Sequence, residues 1–170
     1  MALSDSLGIA TGAVVLSDTA STYRLKGDSV AFRRASGGGS GRVTLHGMAS
    51  AWLDEGDAPL LVQGPQLDIA TDSLDRRSLV AAKGAALHSD ELTGAADRLA
   101  WTEADDRVDL YGQPVLWSGK DQLTGDSIRL YLNEGEADRL EVRGNAFVAS
   151  PAQERFHHQI AGRDLSLIHI

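Results

Sequence analysis

Residues 122–150 read QLTGDSIRLYLNEGEADRLEVRGNAFVAS, and this stretch decides the fold. Ile128, Leu130 and Leu132 alternate with Arg129 and Tyr131. The acidic turn NEGEAD (133–138) follows, then Leu140 and Val142 restore the alternation, and Ala146 and Val148 carry it past Gly144. Apolar placement with period two over runs this short predicts half-buried strands, not helices.

The same pattern recurs along the chain, marked by two classes of glycine. Gly27, Gly64, Gly94, Gly125 and Gly162 each open an apolar alternation, at separations of 37, 30, 31 and 37 residues. Gly12, Gly47, Gly84, Gly112 and Gly144 each close one, and within a unit the second class follows the first by 20, 20, 18 and 19 residues. The two classes alternate strictly, so each unit reads as strand, polar turn, strand, polar turn. Unit three offers Leu99 and Trp101, the turn TEADD, Val108 and Leu110, then Val115 and Trp117. Units one and two offer Val30, Phe32, Val43 and Leu45, then Leu67, Ile69 and Leu79. Only TDSLDRRSLVAAKGAAL (71–87) imitates a helix, and its register with neighbouring units favours strand.

Glycine inside a strand marks a bend or a close backbone approach. Recurrence at two points per unit predicts stacked hairpins that bend at the same two places, a folded-over all-β sheet with an apolar inner surface. Solvent-facing turns are expected at 36–41, 54–57, 105–106 and 133–138. RRASGGGSGR (33–42) reads as a long hairpin loop within one repeat array over residues 1–164, with no domain boundary.

Composition narrows the function. Hydrophobic residues at 42% and charged residues at 24% are a globular balance, with enough chain to bury a real core. Sixteen Lys+Arg against 24 Asp+Glu give a net charge of −8, the wrong sign for holding nucleic acid. Without cysteine there is no disulfide, no Cys-based zinc site and no thiol nucleophile. No apolar run approaches the roughly 18 residues that cross a bilayer, and MALSDSLGIATGAVVL lacks the parts of a secretory leader. An exported version would therefore carry its leader or anchor upstream of this sequence. The final LSLIHI (165–170) is what CTG TCT CTT ATA CAC ATC encodes, matching a sequencing-library transposon adapter. Residues 165–170 are accordingly expected to be adapter read-through, with the native chain continuing beyond Asp164; the alternative is a native apolar strand.

The units LTGDSIRLYLNEGEADRLEVRGNAFVAS (123–150) and FHHQIAGRDL (156–165) resemble the OstA-like proteins of lipopolysaccharide export, close to the Bacteroidetes-type version. Relatives in that group are the bridge protein LptA, the N-terminal domain of LptD and the tethered LptC. The shared pattern is x-G-D-x-h-x-h, an acidic turn, then h-x-h-x-G-N-h-x-h, where h is apolar. It is sharpest over 122–164, acceptable over 91–118 and degraded over 23–90, where Gly64 lacks the following Asp; Gly84 and Gly112 lack the Asn. The resemblance implies an open, twisted antiparallel β-jellyroll in the periplasm that shields lipid A acyl chains in its crease. It also implies partners of the same jellyroll type, copies of this chain included, stacked edge strand to edge strand. The inward, lipid-facing candidates are Val30, Phe32, Val43, Leu45, Leu67, Ile69, Leu99, Trp101, Val108, Leu110, Ile128, Leu130, Leu132, Leu140 and Val142; packing into a dry core is the alternative role for each.

No enzyme is expected, and no cofactor or metal. The GDS triplets at 27–29 and 125–127 occupy equivalent repeat positions, whereas a nucleophile motif occurs once with a partnered histidine. His157-His158 has no spaced carboxylate or cysteine partner. The acidic pairs Asp54-Glu55 and Asp105-Asp106 sit in expected turns, where solvation explains them. Two other readings stay open on the sequence: a structural β-solenoid or adhesin-like repeat with a dry core and a partner-binding face, and a carbohydrate-active β-solenoid enzyme. Parallel coils would mark a solenoid and antiparallel hairpins the folded sheet.

Overall fold

The structure, a computed structural model, describes residues 6–17, 23–34, 40–53, 59–133, 136–153 and 156–168. Its strands are β1 (Ser6–Ser17), β2 (Tyr23–Arg34), β3 (Gly41–Leu53), β4 (Leu60–Thr71), β5 (Arg77–His88), β6 (Leu92–Thr102), β7 (Arg107–Tyr111), β8 (Val115–Ser118), β9 (Asp121–Thr124), β10 (Ser127–Asn133), β11 (Glu136–Gln153) and β12 (Phe156–Ile168). One 3-10 turn, Glu103–Asp105, links β6 to β7. The expected turns at 36–39, at 54–57 and at 134–135 lie outside the described residues.

Every pairing among the described strands is antiparallel, which removes the parallel solenoid. β6 pairs with β7 along one half and with β8 along the other, and β11 likewise pairs with β10 and β9. β7–β8 and β9–β10 are thus single bent strands interrupted at the bend. The stretch that imitates a helix divides into a turn at 72–76 and strand β5.

The bends lie on one line, not two. Gly12, Gly47, Gly84, Gly112 and Gly144 have φ between +68° and +99°, and each adjoins a second positive-φ residue: Ala13, Met48, Lys83, Gln113 or Asn145. Strand registers shift at these points, as β-bulges require. The other glycine class lies outside the left-handed region and sits opposite the bends, where the chains approach closely: a Cβ at Gly64 would lie 3.0 Å from the Gly84 carbonyl oxygen. The repeated G-D and G-N pairs have a common purpose at this line. The Asp126 carboxylate lies against Gly144 and accepts from Asn145 Nδ2 at 3.0 Å. The Asp126 amide donates to the carbonyls of Arg143 (3.0 Å) and Gly144 (2.8 Å). Asp28 and Asp97 lie in the same way against Gly47 and Gly112.

The bend line divides the sheet into two arms. Arm I holds the strand halves around Leu25, Ala51, Val62, Leu87, Gly94, Leu116, Leu123 and Val148, which are successive cross-strand neighbours. Arm II carries two rows in register. One runs Ala10, Val30, Leu45, Leu67, Ala81, Leu99, Leu110, Ile128, Val142, Leu165; the other runs Gly8, Phe32, Val43, Ile69, Leu79, Trp101, Val108, Leu130, Leu140, Leu167. Cross-strand neighbours share a face, so Ile128, Leu130 and Leu140 point the same way. The arms fold together over one buried core: a Cβ at Gly94 in arm I would lie 3.6 Å from Leu110 Cδ1 in arm II.

The outer face of arm II is polar and cross-linked. Thr44 Oγ1 donates to Asp68 Oδ1 at 2.7 Å. Asp109, only 6% exposed, accepts from Arg129 Nε at 2.7 Å and from Arg107 Nε at 2.8 Å. That carboxylate, with Tyr131, holds the Arg129 guanidinium more firmly protonated than usual. One phase expectation fails in arm I, on β8. Leu116, not Val115 and Trp117, faces the core; Trp117 is 39% exposed. The bulge at Gly112-Gln113 resets the alternation, so counting in twos across it lands on the wrong face.

Candidate functional site

The inner surface is not uniformly closed. Val30, Leu45, Leu67, Leu99, Val108, Leu110, Ile128, Leu130, Leu140 and Val142 are fully packed between the arms. Leu132 packs partly against them. Phe32, Val43, Ile69 and Trp101 line a cavity of about 190 Å³ near the β2 end of the crease, with Leu25, Leu53 and Tyr23 supplied by arm I. The structure thus places all fifteen expected crease residues on the inner face and gathers four of them around open space. Phe32 is 45% exposed, and its ring lies directly over Gly8 of β1, in space that a side chain at Gly8 would fill.

Most of the arm I wall escaped the sequence reading, which caught only its end at Ala146 and Val148. Leu25, Val62, Leu87, Leu116 and Leu123 are as buried as their arm II counterparts. Their alternation is short and interrupted by small residues such as Ala51 and Gly94, which left a weaker period.

Arg77 joins the arms at the mouth of the cavity. It is the first residue of β5, in arm II, whereas Tyr23 is the first residue of β2, in arm I. The Arg77 guanidinium carbon lies 5.6 Å from the Tyr23 ring centre and 5.9 Å from that of Trp101, both within cation–π range. Glu103, in the turn after β6, holds it there: Nη2 donates to Oε1 at 3.0 Å, Nε to Oε2 at 3.1 Å, and the Arg77 amide to Oε2 at 2.6 Å. These charge-assisted bonds form a bidentate fork at side chains 18% and 28% exposed.

Side-chain hydrogen bonding from Arg77 lowers the Glu103 pKa below the ordinary carboxylate range. A carboxylate with a depressed folded pKa contributes stability that is present above its unfolded pKa, near 4.3 for Glu. That contribution is lost as pH falls through the folded value. Glu103→Gln is expected to lower stability by about 1–2 kcal/mol at pH 7 and to narrow the gap to the parent chain below about pH 4. Urea unfolding at the two pH values measures this; a constant gap would contradict it.

The repeated GDS triplets serve the bend, as Asp28 and Asp126 lie against Gly47 and Gly144. The side chains of His157 and His158 lie outside the described residues.

A family model described as "LptA/(LptD N-terminal domain) LPS transport protein" matches residues 4–136. The match covers the units where the G-D and G-N pairs are degraded and stops before most of the stretch where they are cleanest. Among solved structures, the chain is similar to LptH from Pseudomonas aeruginosa, described as the LptA-homologous periplasmic component of the lipopolysaccharide transport device. The likeness has a TM-score of 0.58 at 11% identity and covers 85% of this chain and 98% of LptH. It is a likeness of fold. No curated protein matches the sequence.

Proposed function

The chain belongs to the LptA/LptD N-terminal-domain family of lipopolysaccharide (LPS) transport proteins, and from that premise we propose that it is a non-enzymatic periplasmic module that shields LPS acyl chains in its crease. The observation that carries this reading is the cavity between the arms, floored by Phe32, Val43, Ile69 and Trp101 and continuous with the apolar rows behind it. Each methylene moved there from water contributes about 0.8 kcal/mol, before the cost of immobilising the chain.

At about 190 Å³, the space is slightly larger than the ~150 Å³ apolar cavity that takes up one benzene ring. It therefore admits the end of one chain, and fuller loading requires the arms to part. We read the folded sheet as an open jellyroll. Its two outermost strands, β1 and β12, each have one described neighbour. Such edges suit strand addition by a like domain, including another copy of this chain.

Tryptophan quenching tests the lipid reading. Two variants each keep one tryptophan: Trp101 alone (Trp52→Phe, Trp117→Phe) or Trp117 alone (Trp52→Phe, Trp101→Phe). LPS with brominated acyl chains is expected to quench Trp101 and leave the outward Trp117 bright. Equal quenching at both would contradict acyl burial in the crease.

A further inference from the structure

The floor of the cavity ends differently on its two sides. Beyond Ile69 the row continues across the sheet as Leu79 and Trp101, both buried, and the crease is packed shut there. Toward β1 the row runs Val43, Phe32, Gly8, so the last strand offers no side chain of its own. By the pleat, the inner face of β1 in arm II carries only Gly8 and Ala10. Its large residues Leu7 and Ile9 point outward, 68% and 70% exposed. Small residues within and large ones without leave a shallow apolar floor at this end of the crease. The Phe32 ring stands on that floor: it lies over Gly8 and also lines the cavity.

We infer that Phe32 is the chain-length stop of this site: its ring, seated over Gly8, ends the cavity short of β1, and an acyl chain that fills the cavity stops against it. Methylenes beyond those the cavity holds stay in water and add nothing to binding. With the ring removed, the floor of Gly8 and Ala10 joins the cavity, which lengthens by the width of one strand, about 4.8 Å. Phe32 is then a specificity-determining residue, and Gly8 provides the seat that keeps its ring out of the cavity. The inference rests on the acyl-chain reading above and adds to it the residue that sets how much of a chain is taken up.

Calorimetric titration of the intact chain with octyl, decyl and dodecyl maltoside, each held below micelle formation, reads the stop as a length profile. The parent is expected to bind all three within about threefold, because the added methylenes find no apolar surface. Phe32→Ala is expected to bind the dodecyl probe about tenfold more tightly than the octyl probe, less than full burial of the extra methylenes would give, because the edge groove has an open side. Phe32→Val, which suits a strand better than alanine, should show the same climb if the alanine variant unfolds. Adding Gly8→Leu to Phe32→Ala plants a side chain in the space the ring vacates and is expected to restore the flat profile. A flat profile in Phe32→Ala, with all three probes bound, would overturn the stop and leave the acyl reading intact; a ring that only covers an edge glycine gives that result. A parent profile that already climbs, or a double variant that still climbs, would also overturn the stop. Failure of all three probes to bind either the parent or Phe32→Ala would overturn both readings.

Discussion

Gly144→Val is expected to destabilise the fold by about 3 kcal/mol or more, a large share of the 5–15 kcal/mol typical of a domain. Two costs combine. At φ +68° an L-residue loses roughly 1–2 kcal/mol, and a β-branched one more. Its Cβ would also enter the space of the Asp126 carboxylate, displacing the acceptor that Asn145 Nδ2 uses at 3.0 Å. Gly84→Ala provides the contrast. Gly84 has φ +99°, but nothing lies within 4 Å of a Cβ there, so the backbone strain of about 1–2 kcal/mol stands alone. Urea unfolding of the two variants separates strain from collision. Equal losses would mean that the aspartate at the bend contributes nothing and that the G-D and G-N pairs have another purpose.

Half of this architecture was open to reading from the residues. Arm II alternates large aliphatic residues with charged ones, as in Ile128-Arg129-Leu130 and Leu140-Glu141-Val142. Most of arm I was hidden because its wall uses Ala49, Ala51 and Ala85 among its leucines, and alanine gives a weak period. The bulge at each bend resets the phase, which is why Trp117 falls on the outside while Leu116 falls within. The repeated glycines announced the bends. Their spacing did not reveal that one class turns the chain while the other makes room opposite, since that depends on φ.

The clasp had no local signal at all. Tyr23, Arg77, Trp101 and Glu103 sit in four separate segments, and only the folding of one arm over the other brings Tyr23 to Arg77. The nucleophile-like motif has a different use: each GDS triplet places its aspartate against a bend glycine.

Position-specific photocrosslinking to LPS follows the lipid path most directly. A benzophenone side chain at Val43 or Ile69, neighbours in register that line the cavity, faces the crease. The same probe at Ala31, the cross-strand partner of Thr44 beside Val43, or at Ala70, next to Ile69, faces outward by the pleat of the strand. Because each inward position has an outward control nearby in the same sheet, general adhesion to lipid aggregates labels all four alike. Strong labelling at Val43 and Ile69 with little at Ala31 and Ala70 is the predicted result. Labelling as strong from the outward pair as from the inward pair would place the acyl chains elsewhere and contradict the account.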